Sequence, residues 1–225
     1  MTPLKSAHRA ETATVRGRLV VLGGGGHGKV VADAAAACGL WQSIVFADDR
    51  YPALQVVEVW AVAGRLDDAV QWLASETQFV VALGDNLIRL DWTHRLSLAG
   101  CAMATVVHPR AVVSPFASVG AGSVVLAGSV VNPGARIGEA AIVNTGATVD
   151  HDCEIGDAVH LSPGVHLGGN VRIGPRTWLG VGSSVRNGVT IGADVMVGVG
   201  AAVVKNTADS ETVMGVPARA RGAHW

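Results

Sequence analysis

Between residues 18 and 107, short apolar β-prone runs alternate with longer amphipathic ones, the order that a parallel α/β sheet produces. The strand candidates are 18–23 (RLVVLG), 43–47 (SIVFA), 78–83 (QFVVAL) and 102–107 (AMATVV). Helices are predicted over 29–38, 65–76 and 86–99. The first is stopped by Gly39 and the last by Gly100, glycine being a favoured residue just past a helix end. The stretch 52–63 carries no clear period.

After Val107 the period becomes six. Every sixth residue from Val107 to Val203 is Val, Ile or Leu, and two positions earlier, from 111 to 201, only Ala, Ser, Thr, Cys or Val occurs. Two residues after the aliphatic stand Pro109, Pro115, Pro133, Pro163 and Pro175, which argues for a corner, because proline fits turns and donates nothing to a ladder. One residue after it, glycine recurs at 120, 138, 156, 168, 174, 180, 192 and 198, which suggests that the corner needs glycine's backbone torsions there. A hexapeptide of this kind is a short strand plus a corner. Stacked hexapeptides make a parallel β-helix with the aliphatic row inside and coils about 4.8 Å apart. The sequence therefore divides into a leader (1–17), a Rossmann-like α/β domain (18–106), a β-helix (107–205) and a closing segment (206–225).

Charge adds mainly exclusions. Seventeen basic residues balance eighteen acidic ones, so nothing favours nucleic acid or an anionic membrane surface, and a small-molecule partner is expected. Cys38, Cys101 and Cys153 are odd in number, widely spaced and free of any CxxC pattern, which fits reduced thiols in a cytoplasm and suggests no zinc site. The first seventeen residues have no apolar core, and no apolar run approaches a spanning length. A cytoplasmic protein is expected.

Two stretches carry chemistry. Gly23-Gly24-Gly25-Gly26-His27-Gly28 satisfies GxGxxG between a strand and a helix, where backbone N–H groups can cradle a phosphate, and Asp48 and Asp49 end the second strand. A dinucleotide would need a second mononucleotide half, and about ninety residues do not supply one. In the β-helix, GATVDHDCEIGD (146–157) sets His151 at a corner that proline fills in other repeats, so its imidazole points outward and can accept a proton near neutral pH. Cys153 falls in the small inward row and reads as a buried structural thiol. His160 and His166 each precede an interior aliphatic and should project from a flat face; their spacing from His151, nine and then six residues, gives no metal motif.

Read together, VVLGGGGHGKVVADAAAACG (20–39), FADD (46–49), ALGDN (82–86), VNTGATVDHDCEIGDAVHLSPGVHLGGNVRIG (143–174) and MGVPARARG (214–222) resemble the bacterial sugar O/N-acetyltransferases of the hexapeptide-repeat acyltransferases. That group includes the bacillosamine-pathway and perosamine N-acetyltransferases and the sialic acid O-acetyltransferase. The resemblance implies a left-handed β-helix, acetyl-coenzyme A as co-substrate with no metal, and a homotrimer with active sites between subunits. It implies that Gly26, His27, Gly28, Asp48, Asp49, Gly84 and Asn86 line a nucleotide-sugar pocket and that Asn144 reaches the amino sugar. His151 would be the catalytic base, oriented by Asp152, with Asp150 as a rival. His160 would contact acetyl-coenzyme A, with backbone groups of Val181 and Val199 along the pantetheine channel. Lys205, Arg219 and Arg221 are candidates for the coenzyme phosphates or for plain solvated charge. The implied reaction is N-acetylation of a nucleotide-linked 6-deoxy amino sugar at C4. O-acetylation of sialic acid or a related sugar is the alternative, and a non-catalytic trimeric scaffold is the alternative from another class.

Overall fold

The computed structural model describes residues 16–220, so the predicted leader lies almost wholly outside the described residues, as does Arg221. The first part is a six-stranded sheet in the order β3-β4-β2-β1-β5-β6. Its strands are β1 (Arg16–Leu22), β2 (Trp41–Ala47), β3 (Val56–Val57), β4 (Trp60–Gly64), β5 (Thr77–Val81) and β6 (Ala102–Met103). All pairings are parallel except β3 with β4, the hairpin that occupies the stretch with no clear period. β1 is apolar on both sides because both sides are covered. Leu19 and Val21 pack toward α1 (Gly26–Cys38), while Val20 and Leu22 join Phe79, Trp92 and Leu96 beneath α2 (Asn86–Leu98).

Two sequence expectations change. The helix predicted over 65–76 is a short 3-10 helix, Leu66–Trp72. Leu66, Ala69 and Trp72, the residues it turns toward the core, are spaced by three, and three residues per turn put them on one face. The run 102–107 is not one strand. Ala102–Met103 finish the sheet beside β5, whereas Val106–Val107 pair with Val124–Val125 and form the first rung of the next structure.

From Val106 onward the chain winds as a left-handed parallel β-helix. Each strand is two residues long and pairs with the strand eighteen residues further on, as Ile142–Val143 pair with His160–Leu161. Three faces result. The first carries Val106, Val124, Ile142, His160, Trp178 and Met196 outward; the second Val112, Val130, Thr148, His166, Ser184 and Ala202; the third Ser118, Arg136, Glu154, Arg172 and Thr190. Inside, the aliphatic row from Val125 to Val203 and the small row from Ala135 to Ala201 form one continuous core. Burying a single Val, Leu or Ile contributes roughly 1.5–3 kcal/mol, so the unbroken row is the main source of stability. Thr212–Met214 add to the first face beside Met196, and Val213 closes the end of the core.

The recurrent glycines one residue after the aliphatic do not supply the sharp torsion that the sequence suggested. Residues with positive φ lie two positions further on, at every sixth residue from Gly122 to Gly200, and include Ala140, Asp152, Ala158 and Arg176. The earlier glycines are needed for closeness: a Cβ on Gly156 would stand 2.7 Å from Pro175 N, and one on Gly180 2.7 Å from Val199 N.

α1 lies on the first face of the β-helix. Val31, Ala32, Ala34 and Ala35 share a core with Val106, Val124, Leu126 and Ile142. Small helical residues let the helix approach closely, which brings His27, in the first turn of α1, beside His160.

Candidate active site

The sheet order places β1 between β2 and β5, and the connections leave β1 and β5 on opposite sides, so their carboxyl ends form the crevice where open α/β sheets take ligands. The turn 23–25 and the segment 82–85 border it. Gly23 has φ +102°, a left-handed torsion that favours glycine. A Cβ on Gly28 would run into the Gly23 carbonyl, whereas Gly25, Gly26 and Gly84 face open space. α1 has no side-chain cap and no acidic residue in its first turn, so its free N–H groups and dipole face the crevice unopposed.

Asp48 holds this turn in shape. Its Oδ2 accepts from Gly24 N at 2.7 Å and Arg50 Nη2 at 2.9 Å, and its Oδ1 accepts from Arg50 Nε at 2.7 Å. The hydrogen-bonded Arg50 guanidinium, with the backbone N–H groups, lowers its carboxyl to about 2. Asp49 accepts from Leu66 N at 3.2 Å. Both aspartates therefore already have partners within the chain, Asp48 through both oxygens.

His160 was expected on an open face, but it is 8% exposed, with Trp178 against its ring and His27 of α1 beside it. Its ring stacks on Trp178 with centroids 5.0 Å apart, and the His27 ring lies 6.3 Å away. Asn144 Nδ2 lies 3.4 Å from His160 Nε2, while His160 Nδ1 and His27 Nε2 are buried with no partner. Burial, then the nearby Arg89 charge, pushes His27 down to about 4 and His160 to about 3. Both rings are neutral at neutral pH. Asn86 is also buried, its amide tied to Arg89 and to the Arg176 carbonyl.

His151 stands on a different edge of the prism, between the second and third faces and opposite the first. Its Nδ1 lies 2.9 Å from Asp152 Oδ2. Asp150 does not hold the ring; its Oδ1 accepts from His151 N at 2.8 Å and from Asn132 Nδ2 at 2.9 Å. The hydrogen bond with Asp152 raises the imidazole above its ordinary value, so the ring is a stronger base than a free histidine. Gly169, one coil further on, leaves room for the ring, since a Cβ there would collide with it. Cys153 is buried, donates to Gly168 O at 3.3 Å, and is raised by burial, as expected of a structural thiol.

The remaining expected residues lie on the edge between the first and second faces. Asn144, Val181 and Val199 share it, with Val181 and Val199 exposed and the Val181 carbonyl taken by Gly200 N. His166 sits exposed on the second face with its Nδ1 2.9 Å from Thr148 Oγ1. Lys205 and Arg219 line one recess of about 270 Å³ at the end of the coil. A groove of about 620 Å³ runs along the third face past Arg136, Glu154 and Arg172 and touches none of the expected site residues. Among the described residues no three of His, Cys, Asp or Glu converge as metal ligands, and no helix is long and apolar enough to cross a membrane.

Residues 18–96 match the family model described as the PglD N-terminal domain. The structure superposes on the acetyltransferase domain of PglB from Neisseria gonorrhoeae FA1090 with a TM-score of 0.88 and 43% identity, over 91% of this chain and 99% of that one. The chain belongs to the hexapeptide-repeat sugar acetyltransferases. PerB from Caulobacter crescentus, solved in complex with CoA and GDP-perosamine, matches this sugar acetyltransferase with a TM-score of 0.82 and 42% identity, over 91% of this chain and 97% of that one. UDP-N-acetylbacillosamine N-acetyltransferase of Bacillus subtilis (strain 168) is 35% identical over 110 residues, which is 48% of this chain and about half, 51%, of that protein.

Sequence reasoning passed over three residues of the candidate site. Trp178 stacks on His160 because it stands one full coil, eighteen residues, after it; an eighteen-residue alignment of the repeats would have paired them. Gly169 lies one coil after His151 and yields to the same comparison. Arg89 carries no such signal, since its partners other than the Asn86 amide are backbone carbonyls.

Proposed function

We propose that this sugar acetyltransferase moves the acetyl group of acetyl-coenzyme A onto the amino group of a nucleotide-linked amino sugar, at C4 of a 6-deoxy sugar such as GDP-perosamine or a UDP-linked 4-amino sugar. The observation that carries the reading is the exposed His151, with Nδ1 engaged by Asp152 and Nε2 left for a substrate amine. The nitrogen of the sugar attacks the thioester carbonyl, forming the C–N bond. His151 Nε2 takes the amine proton, the C–S bond breaks, and the proton passes to the departing thiolate. Asp152 fixes the tautomer and stabilises the imidazolium. Residues 18–106 would hold the nucleotide at the α1 N-terminus, 107–205 would carry the acetyl donor, and 206–225 would close the coil beside it. The Neisseria protein solved in complex with acetyl-coenzyme A and the Caulobacter enzyme solved with CoA and GDP-perosamine support both substrates.

We infer a homotrimer with active sites between copies, and the geometry of one chain supports a shared site. In one chain the nucleotide crevice overlies the first face, while His151 lies on the edge opposite that face. This separation supports a site in which a nucleotide held in the crevice of one chain presents its sugar to His151 of a neighbouring copy. The cytoplasm is the compartment where nucleotide-linked sugars and acetyl-coenzyme A meet.

The test is release of free thiol from acetyl-coenzyme A with a panel of nucleotide-linked 4-amino and 3-amino sugars. Turnover with a 4-amino, 6-deoxy member is expected. Activity confined to sialic acid or free sugars would replace this reading by O-acetylation, and no coenzyme binding at all would leave only a scaffold.

A further inference from the structure

α2 runs along the edge between the third and first faces, and three of its side chains meet that edge in successive coils. A Cβ on Gly122 would lie 3.3 Å from Thr93 Cγ2. Arg89 Nε donates to Ala140 O at 2.8 Å and its Nη2 to Ala158 O at 2.8 Å. Asn86 Nδ2 donates to Arg176 O at 2.8 Å. Positions 122, 140, 158 and 176 are one column, eighteen residues apart, and all four residues have positive φ. The seven-residue step from Asn86 to Thr93 rises about 10.5 Å while the three coil steps of the column span about 14.4 Å, and the long Arg89 side chain makes up the difference by reaching two coils at once.

Arg89 is 1% exposed and has no carboxylate within bonding distance; its donors go to carbonyls and to one amide. Beyond the β-helix carbonyls, Nη1 donates to Leu83 O at 3.0 Å and Gly84 O at 3.2 Å, and Nη2 to Asn86 Oδ1 at 2.8 Å. One guanidinium thus joins the segment bordering the nucleotide crevice to two coils of the β-helix. Holding a buried cation this way is costly unless every donor is satisfied, and here the planar fork meets that condition.

Resting on the function proposed above, we infer that Arg89, with Asn86, is a positioning residue: it fixes the crevice wall at 83–86 against coils 140 and 158, and so sets where a bound nucleotide sugar is held relative to the β-helix. The residue touches no reacting atom. Its effect on turnover passes through the place of the sugar, where a misplacement near 1 Å lowers a rate on the order of 100-fold. Asn86 belongs to the same latch, which gives its buried amide a role distinct from direct nucleotide contact.

Arg89→Lys and Arg89→Met in the full chain test this, with Asn86→Ala as a milder variant should Arg89→Met fold poorly. Lysine keeps the charge but cannot reach four carbonyls from one ammonium. Both Arg89 variants are expected to raise KM for the nucleotide sugar at least ~10-fold, the effect of losing a charged hydrogen bond, with KM for acetyl-coenzyme A within about 2-fold. Hydrogen exchange, which requires no turnover, should show lost protection confined to 82–90 and 138–160, with the distant coils at 185–203 unchanged. Full rescue by lysine would mean that charge, not the fork, matters, and unchanged exchange at 82–90 would mean that the latch holds nothing; either result overturns the inference. A wild-type chain inactive with every nucleotide sugar would instead reject the proposed function, while the exchange result would still decide the latch.

Discussion

Asp152 Oδ2 lies 2.9 Å from Nδ1 of His151, its immediate neighbour in sequence. In an extended strand adjacent side chains point to opposite faces, so this contact needs a break in the alternation. Asp152 supplies it with φ +57°, a left-handed torsion that aspartate tolerates better than most residues. The corner therefore does two jobs: it turns the chain, and it brings a carboxylate round to the imidazole. His151→Asn should lower kcat by roughly 100- to 10,000-fold with the fold intact. Asp152→Asn should lower it less, and Asp150→Asn least, because Asp150 secures only the backbone and Asn132. Steady-state kinetics on the three variants decides the order, and an Asp150 effect larger than that of Asp152 would reverse the assignment.

A pH profile probes the same pair. The base works when unprotonated, so kcat/KM should rise with pH through the His151 pKa and then level. The Asp152 hydrogen bond raises that pKa, which places the midpoint above the ordinary histidine value of 6.5. Removing the carboxylate charge in Asp152→Asn should move the midpoint to lower pH while lowering the plateau. A midpoint that stayed in place would show that another group titrates.

Gly169→Ala is a steric test of the His151 position. The added Cβ would occupy the place of the imidazole, and Gly169 has no positive φ to make alanine strained. The exposed ring can swing away, so the thermal midpoint should hardly change while kcat falls on the order of 100-fold. A variant with wild-type turnover would mean that the ring does not rest over Gly169 during catalysis.

The interior of the β-helix was readable residue by residue, because a row that must be aliphatic at every sixth position leaves no latitude. Val149, Cys153 and Ile155 keep that register through the His151 corner. The glycine-rich turn was equally legible, since Gly23 and Gly28 answer to backbone geometry alone. What stayed hidden depends on contacts between distant segments. His160 is an outward residue by register but is buried, with His27 of α1 beside it, and Arg89 binds carbonyls, which have no identity in a sequence. The 3-10 helix at Leu66–Trp72 was missed for a local reason, a spacing of three read as part of a longer helical period.

Acid should loosen the contact between the two halves. His27 and His160 are held to about 4 and about 3 in the folded chain, against 6.5 when free. Between those values the unfolded chain binds more protons, so the stability these rings contribute is full above about pH 6.5 and is lost as pH falls toward 4. The thermal midpoint should drop across that window, and the drop should shrink in a His27→Gln, His160→Gln double variant. An identical drop in the double variant would place the sensitivity elsewhere.

The two-chain site predicts complementation with a definite size. Gly26→Glu places a carboxylate at the exposed start of α1, where the helix dipole favours it and a substrate phosphate would be repelled. His151→Asn removes the base. Each variant alone should be nearly inactive. If a site joins the crevice of one chain to His151 of the next, equal co-assembly leaves about one quarter of the sites with both parts intact, since each part is intact half the time in a closed ring. If crevice and base come from the same chain, every chain in the mixture carries one defect and no intact site exists. Co-expressed, differently tagged chains isolated as mixed trimers exclude the inactive homotrimers and hold one intact site in three, so they should regain about a third of wild-type activity. Activity no higher than that of the single variants would return the whole site to one chain and remove the geometric reason for the trimer.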